Sequence, residues 1–408
     1  MKLLVGTVVL AVAVTSAAPP TSTRRADADP AFAPGGRVVE FTRPASPDRL
    51  AVDLRGRVVA PVPPSVSPDG RYVAVGDARG VAILDTATNV RRPLGKVGWV
   101  EWSRTSRTLA YVGENGIGIA AGDGSGAHAI RVDLPPCTSD HCSTIVDDPV
   151  PSPDGRRVAF AWANVPGDVH NPQSSLAIVR ASGGKPVDVG GGDICAPESS
   201  IDWSPDGRWI AYWGYDCYDD RAFGNVIVRA DGAFYKGDTG SSFGAWTPRG
   251  HTFAFDTRKG LGLVTPPSKA RTVVAGARSS AFAPDGRRIA IERAGVIEVG
   301  VVGGRFRTIA RGSTPSWSDT VELIAYAVRA CGPRQGIHVV RPDGRGDRRL
   351  TSTCTIRATR RGRVAGTPYA DEVFAKDRLR QQISCGRGRD LVHADAVDVV
   401  APDCERRD

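Results

Sequence analysis

A polar run of about five residues followed by three apolar ones recurs along this chain, and the recurrence organises most of it. Seven nine-residue windows align without a gap. They are Ser67–Val75 (SPDGRYVAV), Ser103–Tyr111 (SRTSRTLAY), Ser152–Phe160 (SPDGRRVAF), Ser204–Tyr212 (SPDGRWIAY), Thr247–Phe255 (TPRGHTFAF), Ala283–Ile291 (APDGRRIAI) and Ser318–Tyr326 (SDTVELIAY). Their starts lie 36, 49, 52, 43, 36 and 35 residues apart, and the eighth position is alanine in all seven. An aromatic residue stands before five of them, as Trp102, Trp203, Trp246, Phe282 and Trp317.

Each position has a physical task. Proline presets φ for the first central residue of a turn, aspartate caps the turn backbone, and glycine accepts positive φ. The turn reverses the chain between two strands. The triplet Ile210-Ala211-Tyr212 reads as a strand covered on both faces, with alanine where a neighbouring sheet leaves room for a methyl and the preceding tryptophan filling the gap. A further apolar stretch follows in most repeats, as in Gly80–Leu84, Ser175–Val179, Gly224–Val228 and Gly336–Val340. This predicts four strands in each repeat of roughly 35 to 50 residues, the size of a propeller blade.

The string from Trp203 to Tyr212 (WSPDGRWIAY) resembles the WD40-like (PD40) repeat of the TolB propeller and of related propellers of tricorn and the prolyl oligopeptidase group. The resemblance covers about residues 36–352. It implies an all-β fold, a seven-bladed β-propeller, with six blades and one degenerate pair as the competing count. Residues 37–61 are expected to supply an outer strand that closes the ring. Ser103–Tyr111 and Ser318–Tyr326 lack the Pro-Asp-Gly turn, so looser hairpins are expected there. TolB's small α/β domain has no counterpart in the pattern, so its role in envelope assembly is not implied.

Composition fits this reading: 47 Gly, 30 Pro and one Met suit many short strands joined by tight turns. At the N-terminus, Met1-Lys2, an apolar stretch Leu3–Val14 and the small residues Thr15-Ser16-Ala17-Ala18 have the form of a secretory signal peptide, expected to end at residue 17. The apolar stretch is shorter than the roughly 20 residues that span a bilayer, and no other segment is apolar enough to cross one. Residues 18–35 read as a disordered leader. The chain is therefore expected to be secreted or extracytoplasmic, monomeric and not integral to a membrane. The net charge of +9 is carried largely by arginine, only seven of the 53 basic residues being lysine. An anionic partner such as wall polymer, lipid headgroups or nucleic acid is one reading, and a generic basic surface the other. The arginines are dispersed and lack the aromatic interleaving that stacks bases, so nucleic acid is not an expected partner.

Eight cysteines, even in number and closely paired along the chain, suit an oxidising compartment. The expected pairs are Cys137/Cys142, Cys195/Cys217, Cys331/Cys354 and Cys385/Cys404; Cys195 and Cys217 lie equidistant from the turn at Asp206. None forms the spacing of a structural zinc site.

Beyond residue 352 the pattern changes. Gly366–Phe374 and Gly386–Ala394 share the outline G-x-x-x-x-D-x-apolar-x. The second resembles the nonapeptide of RTX (haemolysin-type) calcium-binding β-rolls. For 353–408 this implies a small, disulfide-bonded, β-rich tail. Either Asp371, Asp390 and Asp395 hold calcium, or the roll is vestigial and braced by Cys385–Cys404. No other cofactor is expected.

Two polar loops carry candidate chemistry. Asp140 and His141 with Asp147 and Asp148, and Asp216 with Asp219 and Asp220, lie beyond strand ends where propellers bind ligands; solvated loops are the bland alternative. Gly240-Ser241-Ser242-Phe243-Gly244 matches a nucleophile elbow in letters. It leads into Trp246-Thr247-Pro248, a blade strand, and not into a strand–turn–helix. The expected function is a secreted non-catalytic scaffold that binds a protein, a peptide or a cell-envelope polymer. The alternative is a lactonase- or hydrolase-like propeller enzyme with a metal or carboxylates in its central channel.

Overall fold

The computed structural model describes residues 22–407 apart from 45, 47–48, 60–65, 78–79, 115, 137–142, 166–172, 190–200, 217–220, 233, 236–243 and 270. Every helix or strand among the described residues is a strand. The chain divides into two compact units, Ala26–Ser352 and a second that joins the segment ending at Arg25 to Thr353–Asp408.

Among the described residues of the larger unit the chain lays down eight antiparallel sheets in sequence order, at 28–59, 66–95, 97–129, 143–188, 202–235, 245–275, 277–311 and 313–349. Seven have four strands; the second has three, and an isolated bridge from Val66 to Val73 stands where its first strand would be. Strand order follows the chain in every sheet, so no strand is exchanged between the two ends.

The turns joining first and second strands touch one another around a closed circuit. Gly35 lies against Gly70. Ser106 Oγ accepts from Asp69 N (3.1 Å), and Thr105 Oγ1 donates to the Pro153 carbonyl (3.0 Å). Arg157 donates to the Gly207 carbonyl (2.6 Å), and Asp206 N to that of Gly250 (3.3 Å). Gly286 lies against Arg249, and Arg288 grips Glu322 with two bonds of 2.9 and 3.0 Å. Thr320 Oγ1 closes the circuit on the Gly35 carbonyl (2.9 Å). The unit is the expected β-propeller.

It has one sheet more than the seven alanine-marked windows indicate. The extra sheet comes from 28–59, which does not donate an outer strand to the last blade as expected. Its window is Ala33–Phe41 (APGGRVVEF), preceded by Phe32, with Gly35 in place of aspartate and Glu40 in place of alanine. The turn is the same: Ala33 N donates to Val38 O (2.9 Å) and Gly36 N to Ala33 O (3.0 Å), as Ser67 N does to Tyr72 O (2.8 Å) and Gly70 N to Ser67 O (2.7 Å). Gly36 sits at φ +64° against the hydroxyls of Ser318 and Thr320, where a Cβ has no room.

The disordered leader expected at 18–35 is likewise corrected over its described part, residues 22–35. Ser22–Ala26 and Ala28–Phe32 are both strands. Their polarity misled because the first is a sheet edge, and because the wholly buried Asp27 between them has its charge met by Arg43 at 2.8 and 3.1 Å.

Alanine does what its position predicted. Ala159 of the fourth sheet packs among Trp203, Ile210 and Tyr212 of the fifth. Ala211 packs on Trp246 and Phe253 of the sixth, Ala254 on Ile289 and Ile291 of the seventh, and Ala290 on Trp317 and Ile324 of the eighth. The series ends where Ala325 of the eighth sheet meets Val39, Phe41 and Val52 of the first.

The smaller unit is built on a different principle. Cys354–Ala358, Asp371–Ala375, Leu391–Ala394 and Arg406–Arg407 form a parallel sheet, with Ser22–Ala26 on its edge. Gly362–Ala365, Gln381–Ser384 and Val399–Val400 form a second, so the chain alternates between two parallel sheets. Val364, Val373, Ile383 and Val392 fill the space within. The expected Cys385–Cys404 bridge is formed, with Cα atoms 5.2 Å apart. In the chain-entropy model a loop of that size is worth about 3 kcal/mol. Cys331 and Cys354 are also disulfide-bonded. Cys137, Cys142, Cys195 and Cys217 lie outside the described residues.

Candidate functional site

The turn that builds the ring also decides what faces its axis. In the windows that begin Ser-Pro-Asp-Gly, the serine Oγ donates to the aspartate and accepts the amide at position six. For Ser204 these distances are 2.7 Å to Asp206 and 3.0 Å from Trp209 N. The aspartate also accepts the amide at position five, 3.1 Å in the case of Arg208 N. These bonds hold Asp154 and Asp206 below the usual carboxylate range against the opposing effect of burial. Where alanine replaces the serine, Asp285 takes both amides (2.7 and 2.9 Å) as well as Arg288 Nε, and its pKa falls to about 2. The aspartates are structural caps, as the sequence indicated.

With the turn so fixed, position two points at the axis. Pro68, Pro153, Pro205 and Pro248 line a cavity of about 920 Å³ at this end of the channel. Two residues break the proline rim: Arg104 and Asp319, which occupy position two in the windows that lack Pro-Asp-Gly. Trp246, Phe255 and Phe282 form apolar wall; Ser279, Ser280 and Asp256 add polar groups.

Arg104 reaches from the third sheet past the fourth to the fifth. Its Nε donates to the Trp203 carbonyl (2.8 Å) and to Asp202 Oδ1 (3.2 Å), and its Nη2 binds Asp202 Oδ2. Burial pushes the Asp202 carboxyl up, and Arg104 pulls it back. The same opposition acts on Asp319, where burial dominates and Arg104 is the one charge that lowers it. The mouth thus carries a cation paired with Asp202, and a second carboxylate, Asp319, within its electrostatic reach, beside an aromatic wall, an arrangement suited to recognition. Nearby, Glu292 on the second strand of its sheet accepts from Ser279 Oγ (3.3 Å) and Thr314 N (3.0 Å), so this carboxylate is committed to backbone and hydroxyl.

The loop residues expected from the sequence are placed differently. Asp140, His141, Asp219 and Asp220 lie outside the described residues, as do 240–243 of the elbow match; Gly244 leads directly into the strand Ala245–Trp246. Asp216 ends the strand Trp209–Asp216. Asp147 and Asp148 lie at a bulge in Ser143–Pro151, where Asp148 has φ +48° and its amide donates to Asp147 Oδ1 (2.9 Å). Neither lines the channel cavity. Arg104, Asp202 and Asp319 were missed. The signal was present: the two windows that broke the repeat put charges where the others have proline.

In the smaller unit, Asp371 and Asp390 are adjacent and buried; Asp395 lies at the other end of Leu391–Ala394. Each accepts backbone amides. Asp371 takes Thr367 N, Asp390 takes Asp371 N (2.8 Å), and Asp395 takes Arg378 N (2.7 Å). Among the described residues no group of three or more His, Cys, Asp or Glu is arranged to hold a metal ion. No described helix is long and apolar enough to cross a membrane.

No protein-family model and no curated protein matches the chain. Solved structures do. Dipeptidyl peptidase 4 of Porphyromonas gingivalis is similar with a TM-score of 0.53 at 14% identity, over 80% of this chain and 59% of that one. The chain thus spans rather more than half of that protein's length. The propeller domain of the trilobed protease of Pyrococcus furiosus follows at a TM-score of 0.38 and 15% identity, covering 81% and 98% of the two chains. TolB of Acinetobacter baumannii has a TM-score of 0.28 at 14% identity, covering 68% and 77%. At such identities the likeness is one of fold.

Proposed function

We propose that the chain is a secreted, non-catalytic propeller scaffold that binds a protein or peptide segment at the mouth of its axial channel. The observation that carries this reading is the Arg104–Asp202 pair set across the mouth, with Asp319 beside it and no hydrogen bond of its own among the described residues. A guanidinium already committed to a carboxylate and a carbonyl is a poor proton carrier, since it stays charged at all working pH. It is a good fixed electrostatic reference for a ligand. Asp319 supplies a carboxylate for a lysine or arginine of the partner, and Trp246 and Phe282 supply apolar area beside it. Charges of both signs and a small aromatic patch in a cavity of about 920 Å³ suit a short inserted segment. Export agrees with the disulfides, which form in oxidising compartments.

The test is capture of partners from a culture envelope fraction with the full chain, followed by affinity measurement for the captured species. Asp319→Ala and Arg104→Ala are expected to weaken binding by about tenfold or more, the effect of losing a buried or half-buried charged contact. Thermal melts establish that each variant is folded. Turnover of an ester, lactone or glycoside panel by the parent and not by Asp319→Ala would instead support the enzyme reading.

A further inference from the structure

The arginines that are dispersed along the sequence are gathered by the fold. Position five of the window, at the start of each second strand, is arginine in six of eight sheets: Arg37, Arg71, Arg107, Arg156, Arg208 and Arg287. All six are exposed. Arg71 is paired with Asp85 (2.9 Å). The side chains of the other five have no ion pair or hydrogen-bond partner among the described residues. Their backbone is held by the turn, with Arg156 N and Arg208 N each 3.1 Å and Arg287 N 2.7 Å from the capping aspartate. Since the turns touch around the whole ring, these guanidiniums surround the axis on one face.

In an antiparallel four-stranded sheet the turn between third and fourth strands lies at the same end as the turn between first and second. Those outer turns add exposed basic residues to the same face, among them Arg55, Lys185, Lys269, Arg305 and Arg341. A second feature coincides with the charge. The described large hydrophobics that stand exposed in this unit are Val58 (74%), Val90 (44%), Ile145 (51%), Val187 (47%) and Val301 (43%). All except Ile145 sit at these outer turns, each within four residues of an arginine or lysine. Isolated exposed valines are ordinary; four on the rim of one basic face are a pattern.

We propose that this face docks the propeller on the surface of an anionic phospholipid bilayer. Unpaired guanidiniums take headgroup phosphates. The rim valines reach the boundary between headgroups and acyl chains, as apolar side chains of peripheral proteins do. A soluble polyanion or a nucleic acid would use the charge but has no use for the valines, which is why a bilayer is the better fit. The inference is independent of the channel reading.

The experiment is co-sedimentation of the full chain with vesicles of phosphatidylcholine alone or mixed with phosphatidylglycerol. Binding is expected only in the mixed vesicles, and should weaken as salt shortens the Debye length. Arg37→Glu, Arg107→Glu, Arg156→Glu and Arg208→Glu combined should weaken it by more than about tenfold, each basic group near the surface contributing. Val58→Ser with Val187→Ser should weaken it severalfold. Arg258→Glu with Lys259→Glu, at a turn on the opposite face, should leave it unchanged. If the fourfold variant melts early, Arg37→Gln with Arg208→Gln must show the same direction of effect. Equal binding to both vesicle types would overturn the proposal. So would parental binding by the folded arginine variants, or capture of heparin without capture of vesicles.

Discussion

Asp390 shows how much one carboxylate can depend on its surroundings. It is buried, its Oδ1 accepts Asp371 N, and its Oδ2 meets no partner. Burial, with Asp371, Glu405 and Asp403 adding repulsion, raises its pKa to about 6. An unfolded aspartate titrates near 3.9. The folded state therefore holds the proton more tightly, and the carboxylate opposes folding at neutral pH. As pH falls from about 7 toward 5 the smaller unit should gain stability on the order of 1 kcal/mol. Asp403, whose carboxyl is held low by the amides of Gly386 and Cys385, loses its contribution only at more acidic pH. Limited proteolysis of the tail across this range would show it, with slower cleavage at pH 5. Asp390→Asn should flatten the dependence; faster cleavage at the lower pH would contradict this account. The resemblance of Gly386–Ala394 to a calcium-binding nonapeptide marked Asp390 as a candidate ligand. That the carboxylate serves the backbone of the preceding coil became visible only when Asp371 N was placed against it.

At the scale of the element, the repeated hairpin was legible in nearly every detail, because its determinants are local. Proline, aspartate and glycine act within five residues, and the serine–aspartate bond joins positions two apart. The alanine is different, since its neighbours belong to another sheet, yet its invariance across seven windows was enough to predict them. Ala211 is fully buried against Trp246 and Phe253. Ala211→Leu should therefore overpack that seam and destabilise the larger unit by about 1–3 kcal/mol. Chemical denaturation would report it as a lower midpoint with unchanged slope. A neutral result would mean that the space between the fifth and sixth sheets is looser than the structure has it. The window of the first sheet has Glu40 in place of the alanine, and so lacks the marker that makes the other seven legible.

For the whole molecule, the decisive contact joins sheets almost three hundred residues apart in the chain. Val39, Phe41 and Val52 of the first sheet pack on Ala325, Ile337 and Val339 of the eighth, without a shared strand. Ring closure thus rests on side-chain packing and on turn contacts such as Thr320 to Gly35. Phe41 is fully buried at this seam. Phe41→Ala should cost about 3–5 kcal/mol, and amide hydrogen exchange should rise first in the first and eighth sheets. Uniform loss of protection across all eight would argue that the seam is no weaker than the other interfaces.

The sequence by itself determined the strand pattern, the turn chemistry, the all-β class and the change of architecture near residue 352, since each follows from residues close together in the chain. Only the tertiary structure decided that the described residues of the larger unit form eight sheets, and that Arg104 of the third sheet meets Asp202 of the fifth. It also gathered arginines some 34 to 79 residues apart in sequence around one face. The physical reason is common to all three. Side chains at equivalent turns are brought together by the closing of the ring, and a spacing that looks like dispersal along the chain becomes concentration once the repeats are wound about an axis.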